Sequence, residues 1–102
     1  MPGKYELTPR AERDLKDIWL YTAETWGDDQ AEAYIAALEK QFEALTASPF
    51  MGPARPDVCK ECRYLPEGKH LIFYRVDGDT VVILAVLHAS MDIARHVKPE
   101  DV

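Results

Sequence analysis

The chain has 102 residues, of which 47% are hydrophobic, 10% aromatic and 29% charged, with a formal net charge of −6. That is enough chain for one globular domain with a thin core, residues 1–102, and too apolar a composition for a disordered segment. No run approaches the roughly 20 apolar residues of a membrane span, the opening Met1-Pro2-Gly3-Lys4-Tyr5 lacks the apolar stretch of a secretory signal, and a cytoplasmic protein is expected.

Tyr5-Glu6-Leu7 is a short strand candidate. Thr8-Pro9 follows as a helix start, with Thr as the cap and Pro in the first helical position. Ala11, Leu15, Ile18, Trp19, Thr22 and Trp26 then recur at helical spacing and make one apolar face. Gly27 breaks this helix. Asp28-Asp29 open a second one, placing negative charge at the positive end of its dipole. Its stripe is Ala31, Tyr34, Ile35, Leu38, Phe42 and Leu45, and Ser48-Pro49 stops it. So short a break between two amphipathic helices predicts an antiparallel helical hairpin.

A Pro- and Gly-rich loop runs from Pro49 to about Val58. Cys62-Arg63-Tyr64-Leu65 leads into the turn signal Pro66-Glu67-Gly68. His70 to Val76 and Val81 to Leu87 are rich in β-formers, and Asp77-Gly78-Asp79 between them is a hairpin signal. Ser90 to Val97 reads as a last helical turn capped by Ser90. The order is β-α-α-β-β-β, an α+β domain with a helical hairpin on one face of a small antiparallel sheet and a short C-terminal tail.

The last two strands do not alternate. Val81 to Leu87 is apolar throughout, and Leu71 to Tyr74 nearly so. Strands apolar on both sides expect cover on both sides. The helical hairpin supplies one; the other falls to the C-terminal tail or to a second protein, since uncovered apolar patches mark interaction sites.

Charge and cysteine narrow the chemistry. Residues 1–51 hold five Lys/Arg against ten Asp/Glu, and residues 52–102 hold seven against eight. Binding a nucleic acid broadly needs a basic face to displace counterions, so no direct nucleic-acid footprint is expected. Cys59 and Cys62 form a single CxxC. This is half a zinc site at best, and it lacks the strand-then-helix setting of a redox motif. No cofactor and no metal are expected.

In order and spacing, the residues resemble the ParE toxins of the RelE/ParE superfamily. Tyr5-Glu6-Leu7 followed by Ala11, Asp14-Leu15 and Ile18 is similar to the family's opening strand and helix. Trp26-Gly27 with Gln30-Ala31 and Tyr34 resembles its helix junction, and Ser48-Pro49 with Gly52 its helix end. Arg63, Gly68 and His70 to Arg75 resemble its central strands, and Val86-Leu87-His88 with Met91-Asp92 and His96 its last strand and tail. No one motif is decisive, but together they run from about Tyr5 to Val97.

The resemblance implies a toxin of a type II toxin–antitoxin pair that inhibits DNA gyrase by protein binding. It also implies a ParD-type antitoxin whose C-terminal segment orders as it wraps the toxin. It makes Arg63, Tyr74, Arg75, His88, Met91, Asp92, Arg95 and His96 the candidates for target or antitoxin contact, with no catalytic residue. The RelE branch, with the same fold, cleaves mRNA in the ribosome. That chemistry needs a base, cations for the developing phosphorane charge and an acid. Here Ala85 stands where many relatives place Arg, and His88 is followed by Ala89 and not Tyr. A relative that keeps the fold and antitoxin binding but no longer poisons is the third reading.

Overall fold

The computed structural model describes residues 3–90; all of the turn expected from Ser90 to Val97 except Ser90 itself lies outside them. The elements are β1 (Lys4–Leu7), α1 (Pro9–Trp26), α2 (Asp28–Ala47), β2 (Arg63–Glu67), β3 (His70–Asp77) and β4 (Thr80–His88). They follow the order expected from the sequence, with the helical hairpin laid on one face of a four-stranded sheet of order β1-β4-β3-β2. One feature differs. β2, β3 and β4 pair antiparallel, but β1 runs parallel to β4 in the register Lys4↔Thr80 to Leu7↔Ile83, so the sheet is mixed. The α1–α2 hairpin returns the chain to the end from which β1 started, and the two hairpins that follow leave β4 running the same way as β1.

Local chemistry fixes the ends. Thr8 caps α1, its side chain accepting the Ala11 N–H at 3.1 Å, and Pro9 fills the first turn. Gly27, at φ 97°, donates its N–H to the Ala23 carbonyl (2.9 Å) and accepts the Ala31 N–H (3.1 Å), ending one helix and opening the next. The β-hairpins turn on Gly68 (φ 57°) and Gly78 (φ 62°). Each is followed by a residue of negative φ, the sign pattern of a II′ turn.

The helix-side core joins Ala11, Ile18, Leu38, Phe42 and Leu45 to Ile72, Tyr74, Val81, Ile83 and Val86. The other face of the sheet carries a second buried cluster: Cys62, Phe73, Leu84, Ala85 and Leu87. Among the described residues, Val58, Cys59 and Tyr64 lie against it. The apolar run in β4 serves both faces through a bulge. Phe73 pairs with Ala85 and Tyr74 with Ile83, leaving Leu84 as an extra residue. The alternation therefore skips a beat, and Leu84 and Ala85 both fall on the second face.

β1 ends opposite Ile83, so the outer edge of β4 beyond that point is met by α1 instead. The Thr8 N–H donates to the Ile83 carbonyl (3.1 Å) and the Thr8 hydroxyl to the Leu84 carbonyl (2.9 Å). The Asp14 carboxylate accepts the Val86 N–H (3.0 Å). Burial raises the Asp14 carboxyl above its ordinary value of 3.8, against the opposing pull of the Val86 N–H and Arg10.

Candidate partner-binding site

Past Asp14, α1 and the end of β4 diverge and leave a groove. One part, about 560 Å³, lies along Arg13, Asp17, Tyr21, His70 and Val86. The adjoining part, about 740 Å³, is walled by Trp26, Gln30, Tyr34, Lys69 and His70; Tyr21, Thr22, His70 and His88 border both. Tyr21 and Trp26 are 67% and 70% exposed on the helix side of this groove. Trp26 ends the apolar stripe of α1 beyond the reach of the sheet, so its ring is left to solvent.

Two histidines from adjacent strands form the floor. His70 and His88 are register partners, with ring centroids 5.4 Å apart. The Tyr34 hydroxyl lies 2.7 Å from His70 Nδ1 and also accepts the Lys69 N–H at 3.1 Å. The Ser90 N–H donates to His88 Nδ1 at 3.1 Å, so the neutral ring of His88 carries its proton on Nε2. Burial, then the neighbouring His88, lowers the His70 pKa below 6.5. Burial raises that of Tyr34 above 10.0. The pair is therefore a neutral imidazole beside a neutral phenol near pH 7, able to hydrogen-bond a partner.

The candidates named from sequence are dispersed. Arg63, at the start of β2, donates to the Gly52 carbonyl (2.7 Å) and the Phe50 carbonyl (3.3 Å), and its guanidinium lies 4.9 Å from the Phe50 ring centre. It ties the loop after α2 to the sheet. Arg75 faces Asp77 at 3.7 Å. Register sets Arg63 beside Tyr74 and Arg75 beside Val82, on opposite faces of the sheet. Tyr74 is fully buried, its hydroxyl accepting the Gly52 N–H at 3.0 Å; it is a core residue and leaves the set of surface contacts. His88 is exposed at the groove. Met91, Asp92, Arg95 and His96 lie outside the described residues.

His70, Tyr34 and Tyr21 were not among the sequence candidates. Each carries a local reading as strand, stripe or helix surface, and only the β3–β4 register brings His70 to His88. Among the described residues no group of three His, Cys, Asp or Glu side chains is placed to hold a metal ion, and no helix is long and apolar enough to cross a membrane.

This arrangement of helical hairpin and sheet is that of the small toxins of type II toxin–antitoxin systems. The solved structure of a chromosomal ParDE toxin–antitoxin system from P. aeruginosa superposes with a TM-score of 0.73 at 21% identity, covering 85% of this chain and 96% of that one. A RelBE2 toxin–antitoxin complex from Mycobacterium tuberculosis superposes with a TM-score of 0.63 at 25% identity, covering 86% and 99%. The family model for the ParE toxin of the type II toxin–antitoxin system parDE matches residues 5–93, and the chain belongs to that family. It is 38% identical to Toxin ParE1 of Mycobacterium tuberculosis over 98 residues, covering 95% of this chain and all of that protein. It is 39% identical to Toxin ParE1 of Caulobacter vibrioides over 93 residues, covering 91% and 96%. With Toxin ParE of Escherichia coli the identity is 32% over 90 residues, 87% of each chain.

Proposed function

We propose that this ParE-family toxin arrests growth by binding DNA gyrase, without catalysis of its own, and is held inactive by a ParD-type antitoxin. The observation that carries the reading is the family match over residues 5–93; among the described residues, the cationic and tyrosine candidates named from sequence do not converge on one point. Arg63 and Arg75 are each engaged locally and lie on opposite faces of the sheet, Tyr74 is buried, and Ala85 belongs to an apolar cluster. Ribonuclease chemistry needs cations and an acid–base pair converging on one phosphate. The antitoxin half of the proposal draws on the relatives, which are named as ParE toxins or solved as toxin–antitoxin pairs. An ordering peptide that adds apolar surface suits the groove beside Tyr21 and Trp26.

Induced expression should stop growth, and co-expression of a ParD-type partner should restore it. Purified chain should block gyrase supercoiling and leave mRNA intact in a translation extract. Active gyrase together with cut mRNA would establish the RelE-like activity in its place. Undisturbed growth would mark a relative that has lost its toxicity.

A further inference from the structure

The loop between α2 and β2 bears a feature that toxin action leaves unused. Cys59 and Cys62 are disulfide-bonded, with Cα atoms 5.1 Å apart. Their environments differ. Cys62 is 1% exposed and is part of the second-face cluster with Phe73, Leu84, Ala85 and Leu87. Cys59 is only partly buried and lies on the outer side of that cluster with Val58. A partly exposed first cysteine and a buried second one favour attack by an incoming thiolate at Cys59, since exchange depends on access.

The loop is held to the sheet on one side without the disulfide. The Tyr64 N–H donates to the Pro53 carbonyl (3.1 Å), and the Arg55 N–H to the Cys62 carbonyl (2.7 Å). The Arg55 guanidinium lies 5.4 Å from the Tyr64 ring centre and 5.8 Å from that of Phe73. The turn from Val58 to Cys62 is attached by short-range backbone bonds: the Val58 N–H and, more weakly, the Cys59 N–H to the Arg55 carbonyl (3.0 and 3.4 Å), and the Cys62 N–H to the Cys59 carbonyl (3.1 Å). The disulfide is the covalent tie between this turn and the anchored Cys62. Because it closes so short a ring, it restricts the unfolded chain little, and its effect on global stability is correspondingly small.

We propose that Cys59–Cys62 is a reversible thiol–disulfide exchange site for small thiols and disulfides of the glutathione class, and that it latches the Val58–Cys59 turn over the second face of the sheet. In reduction a thiolate attacks Cys59 Sγ, the bond to Cys62 breaks, and Cys62 leaves as a thiolate that takes up a proton. A second thiol then attacks the mixed disulfide and releases Cys59. The net change converts the protein disulfide and two thiols into a protein dithiol and one small disulfide. Oxidation runs the same steps backwards with glutathione disulfide as oxidant. Release of the turn uncovers apolar surface around Phe73 and Leu84, an area of the kind that recruits other proteins. The proposal stands apart from the gyrase reading, and its test needs no target protein.

The purified full chain is equilibrated in buffers of varied glutathione ratio, alkylated and weighed, while a dye sensitive to apolar surface and the far-ultraviolet dichroism are followed. Reduction without denaturant, full recovery on reoxidation, unchanged helical dichroism and a dye signal raised at least about twofold are expected. With glutathione disulfide, Cys62→Ser should take one glutathione on Cys59 at least about tenfold faster than Cys59→Ser takes one on Cys62. Equal rates, a disulfide that resists reduction until the chain unfolds, helices lost on reduction, or an unchanged dye signal would each overturn the proposal.

Discussion

His70 is penalised for taking a proton on two counts. It is half-buried, and His88 stands beside it on the neighbouring strand, while the Tyr34 hydroxyl of α2 meets its Nδ1. Its pKa in the fold is below the 6.5 of an unfolded chain, so the unfolded state binds the proton first as pH falls. This contribution to stability is whole above 6.5 and is lost as pH falls towards the folded-state value. Asp14 has the opposite sign: burial raises it above 3.8, so its contribution is whole below 3.8 and is lost as pH rises through the folded value. Replacing His70 with Gln, whose amide offers Tyr34 both a donor and an acceptor, should flatten the decline in the urea midpoint between about pH 7 and pH 5. Parallel declines in variant and parent would clear His70 of the effect. None of this was legible beforehand, because His70 at the head of a strand acquires its meaning from a partner 18 positions along the chain and another on α2.

At the scale of the element, Thr8 does two jobs with one hydroxyl. It caps α1 by accepting the Ala11 N–H, and it ties that helix to the sheet by donating to the Leu84 carbonyl. Thr8→Val keeps the shape and removes both bonds, with an expected cost of about 1–2 kcal/mol. Thr8→Ser keeps both and should recover most of the loss in a chemical denaturation series. Equal midpoints for the Val variant and the parent would show that water replaces the hydroxyl at no cost. The cap itself was readable, as were both helical stripes and the hairpin turn at Gly78, because each depends on residues within a turn or two of one another. The donation to Leu84 was not, and neither was the parallel direction of β1. Those depend on the meeting of segments some 76 residues apart, which no local period encodes. The apolar run of Val81 to Leu87 announced two-sided burial, but the bulge at Leu84 that assigns residues to faces appears only in the pairing with β3.

For the whole molecule, the order β1-β4-β3-β2 puts the strands joined by the Gly78 turn at the centre and the strands most dependent on other segments at the edges. β3 and β4 are covered by the helices on one face and belong to the Phe73–Leu84 cluster on the other. β1 is four residues long, pairs with β4 alone and is joined to it across most of the chain, so its pairing closes a long loop. β2 includes Pro66, which has no N–H to donate. Local opening follows such differences in contact and cover. Amides shared between β3 and β4 should therefore exchange only through global unfolding, with one common free energy. Those of β2 and of the turn from Val58 to Cys62 should exchange at least about tenfold faster, through openings that leave the helices intact. Hydrogen exchange on the purified chain, read residue by residue at two denaturant concentrations, checks this directly. The central amides should share the full denaturant dependence of unfolding, and the β2 amides should show little. If β2 and β4 exchanged with the same denaturant dependence, the sheet would open as a single unit. The edge would then be as firmly held as the centre, and the disulfide-tied turn could not move apart from the strands it covers.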